Sequence, residues 1–227
     1  MKKLLIFAIC VLNAFLINAK GEDNPEDYKV RVTKTDGTVF EGYNETNFRN
    51  HFRPKVTSIS VSDEYKGTPV KYKSSEIKRM EFVASMNDSV PYIFDAVKAS
   101  LNLPHQFNKN PKPTKEPVML QLIYDGENVT GYAMPTADVT NVPSMSNIVY
   151  TWKYFYKTKD SDVAKAYWID VDDIIPGMKR VMKFYFREFP EIVKMVDAKE
   201  ITPKEFRKHP AMILPIMDRT YQPNKKK

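Results

Sequence analysis

Residues 147–160 read NIVYTWKYFYKTKD, and this stretch constrains the fold more than any other. Its aromatic residues occupy every second position: Tyr150, Trp152, Tyr154 and Tyr156. Successive side chains of a β-strand point to opposite faces, so the spacing predicts a strand with all four rings on one face. The alternate positions include two lysines, which favours a half-buried antiparallel strand whose aromatic face packs inward while the lysines face water.

Two interpretations of this aromatic row are open at the level of sequence. In the first, the row is one side of a core beneath C-terminal helices, where aromatic pairs stabilise a sheet. In the second, the row is a platform for a glycan, because exposed Trp and Tyr rings stack on sugar rings and tyrosine hydroxyls form hydrogen bonds. The candidate ligand-binding residues are therefore Tyr150, Trp152, Tyr154, Tyr156 and, on the following strand, Trp168.

The segments on both sides of this strand also show strand patterns. The sequence VMLQLIYDGENVTGYAM (118–134) predicts a hairpin with its turn at Asp125 and Gly126, and VAKAYWIDV (163–171) predicts a further strand. The polar segment 135–147 is predicted to be a loop. Together these segments predict a four-stranded antiparallel meander.

The pattern changes to helical spacing from Asp172 onward, where apolar residues recur every three or four positions. A later helix is expected to begin at Thr202, because a threonine cap followed by Pro203 and by Glu205 three residues later is typical of a helix start. The C-terminal helices are expected to pack on the sheet.

The first half of the chain reads as short strands. Residues 28–84 contain five of them, beginning with a hairpin that turns at Asp36 and Gly37, and this predicts a small SH3-like β-barrel. Residues 87–101 are predicted to form a helix, because Ile93, Val97 and Leu101 repeat at four-residue spacing. The predicted fold class is therefore α+β.

The predicted organisation has five parts. They are a signal peptide (1–19), a flexible N-terminus (20–27), the small β-barrel (28–84), an antiparallel sheet packed by C-terminal helices (85–221), and a basic tail (222–227). The signal peptide is indicated by a basic start, an apolar run and small residues near the expected cleavage point. We therefore expect export to the periplasm, the outer surface or the medium, with no integral membrane span after cleavage.

Charge and residue usage argue against several functions. The net charge of +7 falls to about +2 for the body once the signal lysines and the three lysines of the tail are set aside, so nucleic-acid binding is not expected. The one cysteine, Cys10, lies in the signal peptide, and the three histidines are far apart in sequence. We see no nucleophile elbow and no phosphate-binding glycine loop. We therefore expect no catalytic residue, no metal and no cofactor.

Aspartates offer a second alternative function. Asp160, Asp162 and the run from Asp170 to Asp173 could supply paired carboxylates for a hydrolase. Turn positions and a helix start also explain these residues, since acids favour the N-terminal end of a helix dipole.

The chain resembles secreted or periplasmic proteins of Bacteroidetes that have no assigned activity. The features that carry this resemblance are the lysine-rich signal, the DGTVFEGY hairpin, VKYKSSEIKRMEF, the later hairpins and FREFPEIVKMV. The resemblance implies an exported, non-enzymatic protein and carries over no site. Around Ser89, the sequence Asp-Ser-Val also resembles a short O-glycosylation acceptor of such proteins.

The sequence thus leads to three functional hypotheses. The first is an exported, non-enzymatic envelope or surface protein that acts through protein contacts. The second is a glycan-binding module that uses the aromatic row. The third is a hydrolase that uses the aspartate cluster.

Overall fold

A computed structural model describes part of the chain in detail. The described residues are 24–48, 52–84, 92–104, 110–142, 145–170 and 177–223, with side chains except at 137–142 and 145–150. The predicted signal peptide, Ser89, Asp172 and Asp173 lie outside the described residues.

The described residues form ten strands followed by four short helices. The strands are β1 Lys29–Lys34, β2 Val39–Asn44, β3 Ser58–Ser62, β4 Val70–Lys73, β5 Ile77–Phe82, β6 Ile93–Ser100, β7 Val118–Asp125, β8 Val129–Val142, β9 Met145–Thr158 and β10 Val163–Ile169. The helices are α1 Met178–Tyr185, α2 Pro190–Asp197, α3 Pro203–Lys208 and α4 Leu214–Thr220, and short 3-10 turns cover Pro25–Tyr28, Ser74–Glu76 and Pro210–Ile213.

All ten strands belong to one sheet with the order β4-β3-β2-β1-β5-β6-β7-β8-β9-β10. Neighbours in this order are antiparallel, and β10 also pairs in parallel with β6, from Val163 opposite Lys98 to Lys165 opposite Ser100. The parallel pairing follows from the meander, because β6 and β10 are separated by an even number of reversals. Strands β6 to β10 therefore form a closed circuit, called the ring below.

The predicted α+β class is confirmed as a mostly antiparallel sheet with C-terminal helices, and the four-stranded meander is found as β7 to β10. The first five strands pair in the order β5-β1-β2-β3-β4. Their interpretation as an SH3-like β-barrel stays a prediction. No helix in the described part of the chain has the length and apolar character needed to cross a membrane.

The helix predicted over 87–101 is wrong, because residues 93–100 form strand β6. The apolar residues used for that prediction lie four apart, and an interval of four fits the two-residue period of a strand as well as the period of a helix. The first half of β6 pairs with β5 and β7 and its end pairs with β10, and Phe94 and Asp95 on its two faces are both buried. Two-sided burial removes the alternation that would have identified the strand.

The predicted loop over 135–147 is also wrong in most of its length. Strands β8 and β9 continue through it in an unbroken register, from Val129 opposite Thr158 to Val142 opposite Met145. The segment is polar on average, so hydrophobic alternation does not mark it as a strand. The pairing of each strand with the other satisfies the backbone groups on their shared edge instead.

The buried apolar residues form two clusters. The first runs through both halves of the chain, from Val30 on β1 to Ala166 on β10. The second lies between the helices and the outer face of the ring, and it includes both Tyr167 and Trp168. These two consecutive residues share one side because the register between β10 and β9 shifts between Ala166 and Trp168.

Candidate functional site

The aromatic row passes from a buried to an exposed environment along β9. The side chain of Tyr156 is 4% exposed, that of Tyr154 is partly buried, and that of Trp152 is 37% exposed. Tyr150 continues the strand opposite Ala137, and its side chain lies outside the described part of the structure.

The helices account for the buried end of the row. The ring of Tyr156 packs edge-on against Phe189, with 5.4 Å between the ring centroids. The hydroxyl of Tyr154 donates a hydrogen bond of 3.2 Å to Asp170. Burial, and then the neighbouring carboxylate of Asp170 for Tyr154 and of Glu188 for Tyr156, raise the pKa of both phenols well above its ordinary value.

Trp168 lies in the core beneath the helices. Its side chain is 1% exposed, its ring packs edge-on against Phe206 with 5.1 Å between the centroids, and its Nε1 donates to Asp170 at 3.2 Å. In this structure a ligand in solvent does not reach Trp168. The glycan platform along the row stays a prediction, with Trp152, at 37%, as the most exposed ring among its described side chains.

The alternate face of β9 does not simply face water. Phe155 on that face is fully buried inside the ring of strands β6 to β10. Lys153 is half-buried, and its Nζ donates to the carbonyl of Leu101 at 2.8 Å. The prediction that this face of β9 points to water is therefore wrong at Lys153 and Phe155. The reason is ring closure, which covers the second face of β9.

A cleft with a volume of about 250 Å³ lies beside Tyr156. Strand pairing places the residues of its floor: Lys165 on β10 lies opposite Tyr156 on β9 and opposite Ser100 on β6. Residues directly opposite on adjacent strands share a face, so the closing strand pair of the ring brings these side chains together. The connection between α1 and α2 and the loop after β6 provide the walls, with Tyr185, Arg187, Glu188, Asn102 and Asn110.

Two charged groups of this cleft, Lys165 and Glu188, form an ion pair. The Nζ of Lys165 contacts both carboxylate oxygens of Glu188, at 3.0 and 2.7 Å, and the hydroxyl of Tyr156 donates to the same carboxylate at 3.3 Å. The guanidinium of Arg187 donates to the carbonyl of Phe184 at 2.9 Å and to Asn110 at 3.5 Å. The cleft therefore offers a polar surface on which the Lys165 charge is neutralised by Glu188.

The sequence interpretation named Tyr156 but missed the rest of this cleft. Lys165, Glu188 and Asn110 come from three separate segments, and no local motif joins them. The signal that could have linked them is the parallel pairing of β10 with β6, which sequence patterns do not specify.

Two of the candidate aspartates in the described part of the chain, Asp162 and Asp170, lie at opposite ends of β10. Asp162 precedes β10 and Asp170 follows it, so eight residues of extended chain place them roughly 25 Å apart. Glycoside hydrolysis needs two carboxyl groups roughly 5 to 10 Å apart. Asp160 accepts a hydrogen bond of 2.8 Å from the Tyr221 hydroxyl, while Asp170 accepts from the aromatic side chains described above. These contacts are structural.

A second cleft of about 230 Å³ lies in the N-terminal half, beside Tyr43, Asn44 and Tyr65. The Oδ1 of Asn44 and the hydroxyl of Tyr65 are buried without a hydrogen-bond partner. Both atoms lie beneath the cleft surface, so a ligand would have to displace side chains to reach them. Among the described residues, no group of three or more His, Cys, Asp or Glu side chains is placed to hold a metal ion.

The β8–β9 hairpin extends beyond its neighbours. Pairing with β7 reaches Ala133 on one side, and pairing with β10 reaches Lys153 on the other. Beyond the pair Pro135 and Trp152, the pairing described for β8 and β9 is between these two strands only. This two-stranded part covers seven residue pairs, or roughly 24 Å. Residues 136–151, called the hairpin arm below, contain one charged residue, Asp138, in a chain that is 28% charged.

Comparison with known proteins gives no relative. No protein-family model matches the chain, and no curated protein or solved structure matches it at a significant level.

Proposed function

We propose that the protein is an exported, non-enzymatic protein of the cell envelope or surface that acts through protein contacts, with the hairpin arm as its contact element. The observation that carries this proposal is the extension of β8 and β9 beyond the strands that flank them. The other edge of the sheet, β4, is only four residues long and carries Lys71 and Lys73, which protect an edge from further pairing.

The physical argument concerns the edges of the arm. A two-stranded ribbon is marginally stable by itself, and each edge presents backbone N–H and C=O groups that another strand can use. Proteins usually protect such edges with charges, and residues 136–151 carry one charge. Strand addition by a partner protein would satisfy the backbone groups and stabilise the ribbon.

Export is supported by the sequence of residues 1–19 and by the resemblance to secreted and periplasmic proteins of Bacteroidetes. Cell fractionation with and without residues 1–19 tests export, and retention of both forms in the cytoplasm would contradict it.

We also propose that residues 28–84 are an SH3-like unit. The order β5-β1-β2-β3-β4 and the 3-10 turn Ser74–Glu76 between β4 and β5 support this.

The contact role is tested by site-specific photo-crosslinking in the producing cells. A photoreactive amino acid is placed at Thr140 or Asn147 in the arm and, as a control, at exposed Lys204 on α3. We expect a discrete protein adduct from the arm positions and none from Lys204. In a second variant, an Asn-Gly turn replaces the arm and joins Pro135 to Trp152. Adducts formed from a photoreactive residue at exposed Lys159 in the full-length protein should be absent from this variant if the arm docks the partner. Absence of adducts from every arm position would contradict the proposal.

Glycan binding is the second candidate function, and the exposure of Trp152 at the base of the arm favours it. The hydrolase hypothesis has less support, since Asp160 and Asp162 are separated from Asp170 by the length of β10. Loss of glycan binding in Trp152→Ala with the fold retained would support the aromatic row as the platform.

A further inference from the structure

We infer that the cleft beside Tyr156 and Lys165 is a binding site for a single neutral sugar unit. This site is separate from the hairpin arm and does not depend on the function proposed for it. It also differs from the aromatic row in its residues, since it takes only Tyr156 from that row.

The first argument is the combination of rings and hydrogen-bonding groups. Tyr156 and Tyr185 both line the cleft, and Tyr185 is half-buried at the end of α1. Burial raises the pKa of the Tyr185 phenol, so it keeps its proton and can donate a hydrogen bond. Amide side chains of Asn102 and Asn110 add donors and acceptors at the rim.

The second argument is charge. A phosphate or carboxylate ligand favours cations that no protein acid neutralises. Here the ammonium of Lys165 is neutralised by the Glu188 carboxylate at 2.7 Å, and the Arg187 guanidinium is oriented by the carbonyl of Phe184 at 2.9 Å. A sugar hydroxyl both donates and accepts, so it can donate to the Glu188 carboxylate and accept from the Lys165 ammonium without separating the pair.

The third argument is size and rigidity. A volume of about 250 Å³ is below the range of roughly 300–1,000 Å³ typical of sites for drug-sized ligands, which suits one ring rather than an extended chain. Tyr156 and Lys165 lie on paired strands of the ring, so the floor of the cleft is formed before a ligand arrives.

The test uses the purified exported protein and saturation-transfer NMR. The probes are glucose, galactose, mannose and N-acetylglucosamine as neutral sugars, with glucuronate and inorganic phosphate as anions. We expect saturation transfer to at least one neutral sugar. Glu188→Gln and Tyr185→Ala should each weaken its affinity by about tenfold or more, with unchanged circular dichroism.

Trp152→Ala is the matched aromatic control, because it removes an exposed ring from the row without touching the cleft. We expect Trp152→Ala to bind the sugar as the parent protein does. The inference is overturned if no neutral sugar binds, if only glucuronate or phosphate binds, or if Trp152→Ala abolishes binding while Glu188→Gln and Tyr185→Ala leave it intact. None of these outcomes bears on the photo-crosslinking test of the hairpin arm.

Discussion

Asp218 on the last helix accepts a hydrogen bond of 2.6 Å from the backbone N–H of Asn128, which lies in the turn between β7 and β8. The same carboxylate accepts from the N–H of Val129 at 2.9 Å and from the hydroxyl of Tyr124 at 3.0 Å. One side chain thus satisfies a turn of the meander and attaches the helical layer to it.

Replacing Asp218 with Asn should lower the free energy of unfolding by about 1–3 kcal/mol at neutral pH, because the acceptor loses its charge and one of its two oxygens becomes an NH2 group that cannot accept. Partial burial acts to raise the pKa of Asp218, but the N–H groups of Asn128 and Val129 and the Tyr124 hydroxyl outweigh it, so the pKa is lowered. The stabilisation is therefore present above the unfolded pKa of about 4 and is lost as the pH falls through the folded pKa.

Urea unfolding of the parent protein and Asp218→Asn across the acidic range measures this effect. The difference between the two proteins should shrink as the pH falls. Asp162→Asn, in an exposed turn, is the control and should behave like the parent. A difference that is constant with pH would show that the carboxylate charge of Asp218 does not stabilise the fold.

Gly131 on β8 lies directly beneath Leu214 of α4. A Cβ at position 131 would overlap the side chain of Leu214, with its Cγ 3.1 Å away, and Leu214 is fully buried. Gly131→Ala should therefore destabilise the protein by about 1–3 kcal/mol through overpacking. The double variant with Leu214→Ala should lose less stability than the sum of the two single changes, by about 0.5 kcal/mol or more. Additive losses in thermal or urea unfolding would contradict this contact.

Arg79 and Asp95 join the two halves of the sheet. The guanidinium of Arg79 on β5 contacts the Asp95 carboxylate on β6 through two hydrogen bonds, of 2.6 and 3.0 Å, and the Tyr132 hydroxyl on β8 donates to it at 3.3 Å. Arg79→Leu should cost about 3 kcal/mol of stability, because it leaves a buried carboxylate with one fewer partner.

The surface pair of Arg31 and Glu41 is the matched control, with an N–O distance of 2.9 Å and both side chains exposed. Arg31→Leu should cost less than about 1 kcal/mol. Equal losses in the two variants, measured by urea unfolding, would mean that the Arg79–Asp95 pair acts as an ordinary surface pair.

The strand carrying the aromatic row could be predicted from sequence, because its two-residue period and its β-favouring residues agree. Strand β6 could not, since four-residue spacing fits both a strand and a helix. The contact of Asp218 with Asn128 joins residues far apart in sequence, and Asp218 has no local feature that marks it. The cleft beside Lys165 likewise depends on ring closure, which is a tertiary property.

High pH should unfold the protein cooperatively. Burial, and then neighbouring carboxylates or phenols, raise the pKa of four tyrosines, Tyr132, Tyr154, Tyr156 and Tyr167. The ordinary tyrosine pKa is about 10, so above this pH the unfolded state loses protons that the folded state keeps. The stability from neutral buried phenols is therefore complete below about pH 10 and is lost as the pH rises toward the folded pKa. Phenolate absorbance and circular dichroism should change together; a gradual titration with unchanged dichroism would contradict this.

The two tryptophans should report opposite environments in single-tryptophan variants. Trp152→Phe leaves Trp168, which is 1% exposed beneath Phe206, so its emission should be blue-shifted and poorly quenched by acrylamide. Trp168→Phe leaves Trp152, which is 37% exposed, so its emission should be red-shifted and more strongly quenched. If Trp152 is also blue-shifted and protected, another chain or the hairpin arm covers it in solution. Dilution then separates these two cases, because only cover by another chain is lost at low protein concentration.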